Sequence, residues 1–106
     1  KITNLNNRAL GMVKQWQDMQ YGGRYSSISY EDSLPDFVKL AESFGHVGLK
    51  VEKFSDLNDA MEEAFSLKDK LVFLDVLIDP DEHVYPMLEA GGSMSEMRIS
   101  KKDKTF

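Results

Sequence analysis

The sequence predicts an α/β domain built on a mostly parallel sheet. Two observations carry this. Residues 71–78, Leu-Val-Phe-Leu-Asp-Val-Leu-Ile, are a nearly unbroken β-favouring run, and a strand apolar on both sides belongs in the middle of a parallel sheet with helices over both faces. Segments of strand and helix character also alternate along the chain, in the order strand, helix, helix, strand, helix, strand, tail. That order is the signature of an open parallel sheet.

The elements follow in turn. Residues 1–5 read as a short strand with Ile2 and Leu5 as its apolar members, ended by Asn6-Asn7. Helical spacing begins at Leu10, where Met12, Val13, Trp16 and Met19 share one face. Gly22-Gly23 closes that helix, since glycine accepts the left-handed conformation at a helix end. Residues 24–34 have no period and read as an irregular segment carrying Tyr25 and Tyr30. Pro35 fits the first position of a second helix, with Phe37, Leu40, Ala41 and Phe44 on one face and Gly45 at its end. Val47, Leu49 and Val51 alternate with Gly48, Lys50 and Glu52, a strand packed on one side. Ser55, three residues before Asn58, is a candidate cap for a third helix whose face is Leu57, Ala60, Met61, Ala64 and Phe65. Asp79-Pro80-Asp81 stops the strong strand, and an irregular tail follows. Three strands are few beside the about five or six of an average sheet, and the chain opens on Lys1 inside a strand. Further strands are therefore expected to precede Lys1.

Composition narrows the function classes. The chain has 106 residues, 42% of them hydrophobic, which suits a single packed domain rather than a disordered segment. Its net charge of -5 argues against a nucleic-acid groove, and the short run Lys101, Lys102, Lys104 reads as a solvated terminus. With no cysteine, disulfides, thiolate catalysis and sulfur-ligated zinc are excluded. No stretch approaches the about 20 apolar residues of a membrane-spanning helix.

Open parallel sheets bind ligands beyond the carboxyl ends of their strands. Asn6-Asn7 and the segment from Asp79 to His83 are thus the geometric candidates. Adjacent asparagines there serve as turn formers and caps, or one carboxamide oxygen ligates a hard cation such as magnesium. The stripe of Met12, Val13 and Trp16 reads as core or as pocket wall, and Gly11 before it allows close approach of a ligand or backbone. His46 and His83, 37 positions apart, lack a metal-binding spacing and read as local hydrogen-bonding residues. Asp75 interrupts the strongest strand, so it faces a crevice or a buried donor. No nucleophile elbow, Walker lysine or glycine-rich phosphate loop is present in the sequence.

The run from Asn6 to Trp16, Asn-Asn-Arg-Ala-Leu-Gly-Met-Val-Lys-Gln-Trp, resembles the large catalytic subunit of the acetohydroxyacid (acetolactate) synthases, a thiamine diphosphate-dependent family. So do Gly23-Arg24-Tyr25-Ser26, the segment Pro35-Asp36-Phe37-Val38-Lys39-Leu40-Ala41-Glu42, and Val84-Tyr85-Pro86-Met87, and the resemblance runs along nearly the whole chain. It implies the C-terminal part of a three-layer α/β/α thiamine diphosphate-binding domain over residues 1–79. Residues 80–106 would be a tail covering the active site. In such enzymes the metal motif opens with Gly-Asp-Gly and closes with Asn-Asn. The closing pair would be Asn6-Asn7, and the opening aspartate would precede Lys1. Asn7 would give its side-chain oxygen to magnesium and Ala9 its backbone carbonyl. Alanine at position 9 departs from relatives with longer side chains, as does Leu34 where many relatives carry asparagine.

The resemblance further implies that Asn7, Gly11 and Met12 contact the cofactor, while Val13 and Trp16 face the substrate. The tryptophan would favour 2-ketobutyrate as second substrate. The expected reaction decarboxylates pyruvate and joins the two-carbon unit to pyruvate or 2-ketobutyrate, in branched-chain amino acid synthesis. FAD is expected in the whole subunit, bound mostly by other segments, as is the glutamate that activates the aminopyrimidine. A homodimer or larger assembly of catalytic subunits, compatible with a regulatory subunit, is implied, in the cytoplasm of a bacterium or the plastid of a plant or alga. Nucleic acid and membrane are not expected partners. The alternatives are another thiamine diphosphate carboligase or decarboxylase, and a small non-catalytic α/β interaction domain.

Overall fold

The computed structural model describes residues 1–30 and 32–100. The lysine run at 101, 102 and 104 lies outside them. The elements are β1 (Ile2–Asn6), α1 (Gly11–Tyr21), α2 (Phe37–Ser43), β2 (Val47–Val51), a 3-10 turn (Phe54–Asp56), α3 (Leu57–Ser66), β3 (Val72–Leu77) and a second 3-10 turn (Met94–Glu96). They fall into two compact units. The first comprises Lys1–Ala9 and Ser29–Pro80, and the second Leu10–Ile28 with the residues from Asp81 onward.

The first unit holds the sheet, in the order β1-β3-β2. Both pairings are parallel, with Asn4 beside Asp75 and Lys50 beside Asp75 on the other side. The apolar run thus forms the central strand, as its composition predicts. Alternation divides β3 between two faces. Val72 and Leu74 point into the core with Ala64 of α3, joined by Val47, Leu49, Ala60, Met61, Leu67 and Val76. Phe73 points the other way and stacks on Phe37 of α2, with ring centroids 5.8 Å apart. Helices therefore cover both faces, the α/β/α layering that the sequence predicts. Here α2 lies so close to β2 that a Cβ on Gly48 would stand 2.7 Å from Val38 Cα and 2.7 Å from its carbonyl oxygen. Glycine at that place is a packing requirement.

Several boundaries differ from expectation. Pro35 precedes α2 rather than opening it: Asp36 is the N-cap, and its carboxylate accepts from the Lys39 N–H at 3.1 Å. That backbone bond, first among several causes, holds the Asp36 carboxyl below its usual range. Leu40 and Phe44 are exposed, so the packed side of α2 is Phe37, Val38 and Ala41. Ser55 does not cap α3. Its hydroxyl bonds Asp56 at 2.7 Å, and the 3-10 turn feeds directly into the helix. Phe65 is exposed while Ala64 is fully buried.

Asp75 faces the side of the sheet opposite Leu74 and is 4% exposed. Asn4 Nδ2 donates to Oδ1 at 2.8 Å, and Asn6 Nδ2 reaches both carboxylate oxygens at 3.1 and 3.2 Å. Of the two roles open to it, pairing with buried donors is the one realised. A carboxylate can accept several such bonds, and leaving a buried donor without an acceptor is costly.

In the second unit, Gly22 ends α1 in the left-handed conformation, as expected, with φ 59°. An antiparallel bridge joins Met87 to Arg98, and the Arg98 guanidinium pairs with Glu89 at 2.6 Å. Among the described residues, no helix is long and apolar enough to cross a membrane.

Two outcomes test this packing. Gly48→Ala should destabilise the protein by about 1–3 kcal/mol, the usual scale of overpacking, read as a lowered urea midpoint. Asp75→Ala, which strands two amide donors, should cost about 1–3 kcal/mol, and Asp75→Asn, which keeps one accepting oxygen, should cost less. Equal midpoints for Asp75→Ala and the parent would remove Asp75 from the account of the sheet.

Candidate functional site

The carboxyl ends of β1 and β3 lie side by side, joined by a bond from Ile78 N–H to the Asn6 carbonyl at 3.1 Å. Beyond them the chain makes two consecutive side-chain turns. Asn6 Oδ1 accepts from Arg8 N–H and Asn7 Oδ1 from Ala9 N–H, both at 3.1 Å. Arg8 takes a left-handed φ of 57° between them. Short polar side chains that bond the backbone two residues on are what such a turn needs. The asparagines are therefore turn formers and not helix caps, since α1 has Leu10 at its N-cap and no side-chain cap bond, and the two are not equivalent. Asn6 is committed to Asp75, whereas Asn7 Nδ2 has no acceptor among the described residues.

The oxygens left over matter for a cation. A carboxamide oxygen has two lone pairs, and Asn7 spends one on Ala9. The first backbone bond of α1 runs from Lys14 N–H to the Leu10 carbonyl at 2.8 Å. The Ala9 carbonyl, one residue earlier, accepts no hydrogen bond from the described residues. Asn7 and Ala9 are brought together by their turn, and both offer neutral oxygen donors. Among the described residues no cluster of three or more His, Cys, Asp or Glu could hold a metal. The donor set thus fits a hard cation that takes few protein ligands and completes its shell with phosphate or water.

The other predicted residues lie on α1, in the second unit. Gly11 opens the helix, whose N-terminus carries no side-chain cap and no acidic residue in its first turn. Such an end presents unpaired N–H groups suited to an anion. Met12 and Val13 are 49% and 44% exposed, and Trp16 is half-buried. The side chains of α1 that are buried are polar: Lys14 at 7% and Gln15 at 1% exposure. Relative to an amphipathic helix on a core, α1 is turned round.

The cause is a polar cluster that sequence reasoning missed. Lys14 Nζ lies 2.6 Å from Asp81, 3.3 Å from Asp18 and 3.2 Å from the Tyr25 hydroxyl. It also sits 4.8 Å from the centroid of the Tyr25 ring. Tyr25 donates to Asp18 Oδ1 at 2.5 Å, and His83 Nε2 meets Asp18 Oδ2 at 2.8 Å. Burial opposes the charge on Lys14, but hydrogen bonds to Asp81, Tyr25 and Asp18 outweigh it and hold the ammonium well above the ordinary lysine range. Burial likewise opposes the Asp18 carboxylate, and bonds from Tyr25, Lys14 and His83 more than compensate, lowering its pKa. His83 thus has the local hydrogen-bonding role expected of it, while His46 is exposed ahead of β2. A pocket of about 330 Å³ opens beside the cluster, against Asp18, His83, Tyr85 and Arg98, and Met12, Val13 and Trp16 do not line it. The only signal in the sequence was the Lys14–Asp18 spacing of four, one helical turn.

Comparison with known proteins places these features in a family. Residues 1–76 match the model of the thiamine pyrophosphate enzyme C-terminal TPP-binding domain. The acetolactate synthase large subunit of Haemophilus influenzae is 59% identical over 100 residues, which are 94% of this chain and 17% of that protein. The acetolactate synthase isozyme 3 large subunit of Escherichia coli is 54% identical over 106 residues, 98% of this chain and 18% of that one. The acetolactate synthase of Mycobacterium bovis is 39% identical over 104 residues, 95% and 17% of the two chains. The chain spans less than a fifth of the length of these curated relatives. It is homologous to acetolactate synthase large subunits in that stretch, and it belongs to the thiamine pyrophosphate enzyme family through the C-terminal TPP-binding domain.

Proposed function

We propose that this chain forms the C-terminal end of an acetolactate synthase catalytic subunit. The observation that carries the reading is the 54–59% identity, over nearly the whole chain, to large subunits of that name. The enzyme decarboxylates pyruvate and joins the two-carbon unit to pyruvate or 2-ketobutyrate, on the path to branched-chain amino acids. Residues 1–79 are its part of the cofactor-binding domain, and residues 80–106 are a tail over the active site. Catalytic subunits pair or assemble further, a regulatory subunit is compatible with them, and FAD is held mostly by other segments. The compartment is the bacterial cytoplasm or a plastid. The 106-residue chain alone is expected to be inactive, since it contains no Gly-Asp-Gly and the activating glutamate belongs to another domain.

In this reading Asn7 Oδ1 and the Ala9 carbonyl would hold Mg2+, whose charge would anchor the cofactor's diphosphate. Bound thiamine diphosphate supplies the electron sink for decarboxylation and carbon–carbon bond formation. The rest is positioning by this chain. Gly11 would let the helix start come close to the cofactor, and the flexible, polarisable Met12 side chain would pack against it. Val13 and Trp16 line the acceptor side, where the indole excludes water and sizes the pocket. Pyruvate and 2-ketobutyrate differ by one methylene, a difference that an apolar pocket converts into about 10–200-fold discrimination.

Trp16→Leu in the full-length enzyme should therefore lower the ratio of 2-aceto-2-hydroxybutyrate to 2-acetolactate, formed from mixed substrates, by about tenfold or more. An unchanged ratio would count against the pocket assignment and favour a different carboligase or decarboxylase. Asn7→Ala should raise the Mg2+ concentration needed for half-maximal thiamine diphosphate binding, followed by calorimetry, by at least about tenfold, the scale of losing even an outer partner of a metal ligand. Binding that ignores magnesium in both proteins would point instead to a non-catalytic domain.

A further inference from the structure

The stripe of α1 assigned to cofactor and acceptor has little packing of its own to fix its direction. Met12 and Val13 are close to half exposed. Something else must set the rotation of the helix about its axis, because one residue of rotation swings every side chain by about 100°. The opposite side of α1 carries a directional contact. Gln15 Nε2 donates to the Val84 carbonyl at 2.8 Å, and Val84 N–H donates to Gln15 Oε1 at 2.9 Å. One carboxamide thus satisfies both backbone groups of one residue, as a neighbouring strand would. Met87 Sδ lies 2.9 Å from the same Nε2. One residue back, Lys14 binds Asp81, and one turn on, Asp18 meets His83. Three side chains of one helix face hold the segment 81–87 at successive points.

We propose that Gln15 is a positioning residue for substrate selection: its paired bonds to Val84, flanked by Lys14–Asp81 and Asp18–His83, fix the rotation of α1 and so fix where Trp16 stands. The inference rests on the assignment of Trp16 to the acceptor side. An apolar side chain in place of Gln15 fills about the same volume and, because Val84 is 62% exposed, leaves the Val84 N–H and carbonyl to water rather than unpaired, so the fold is kept. It cannot reproduce the angle that two opposed hydrogen bonds impose. Rotation of α1 and stability of the fold are therefore separable by substitution.

The test uses full-length enzyme assembled with thiamine diphosphate and Mg2+, and four proteins: the parent, Gln15→Leu, Asp81→Ala and Trp16→Leu. Two readouts are taken, the product ratio from mixed pyruvate and 2-ketobutyrate, and deuterium uptake by the peptide spanning residues 81–88. Gln15→Leu should speed uptake in that peptide and move the product ratio toward that of Trp16→Leu by about three- to tenfold, the worth of about one net hydrogen bond. Asp81→Ala changes a side chain that is 62% exposed, so it is expected to fold even where Gln15→Leu does not. It should move both readouts the same way by less. A Gln15→Leu enzyme with faster uptake but the parent's product ratio, while Trp16→Leu shifts that ratio, would make Gln15 a structural clamp only and overturn the proposal. The parent's ratio in a folded Asp81→Ala enzyme with faster uptake would overturn it equally where Gln15→Leu does not fold. If Trp16→Leu itself leaves the ratio unchanged, the assignment of Trp16 fails, and the positioning role falls with it by a separate observation.

Discussion

A carboxylate buried in the central strand organises the carboxyl edge of the sheet. Asp75 sits in β3 between β1 and β2, beside Asn4 on one side and Lys50 on the other. A charge so placed must be satisfied locally or it would destabilise the sheet. The Asn4 and Asn6 amides do this, which turns Asn6 inward. Alternation along an extended chain then sends the next side chain the other way. Asn7 is thereby released from the sheet and left to shape the turn with Ala9. One asparagine secures the strand end and its neighbour supplies an outward oxygen, so the adjacency of the pair has a physical reason independent of any family.

The same division bears on the proposed cation site. The two donors this chain offers it are neutral, a carboxamide and a backbone carbonyl. The nearest carboxylate in the sheet, Asp75, already has two asparagine donors. Neutral donors leave most of the charge on a divalent cation uncompensated by this segment. That charge is then available to an anionic ligand, which is how a cation of this kind comes to bridge protein and phosphate.

How much of this was legible in the sequence depended on whether the signal was local. The central strand was legible because its apolar run is continuous, and β2 because Val47, Leu49 and Val51 alternate. Gly22 and Gly45 marked helix ends because only a left-handed residue serves there. The failures have a common cause. Pro35 and Asp36 are both good starters of a helix, and only the side-chain bond to Lys39 distinguishes the cap. Ser55 has the spacing of a cap, but a 3-10 turn takes its place. Asn7 and Ala9 were named through resemblance, whereas the commitment of Asn6 to Asp75 spans 69 positions and left no periodic trace. Lys14 and Gln15 look like ordinary solvent-facing residues because their partners, Asp81 and Val84, are 67 and 69 positions away.

That last failure carries a physical lesson about α1. Reading apolar residues as the inward face assumes that a helix is held by the hydrophobic effect, which is strong but non-directional. A helix held that way tolerates small rotations, because apolar contacts re-form at many angles. Here the inward face is Lys14 and Gln15, and their partners are fixed groups with preferred bond directions. Burying them costs desolvation, which their bonds offset with only a small net gain in stability. The gain is orientation, and it falls to the residues left outside. Met12, Val13 and Trp16 can remain partly open because they are not needed to hold the helix in place. An apolar stripe free of that task is available to meet a cofactor or substrate, whereas the same stripe buried as core would be closed to both.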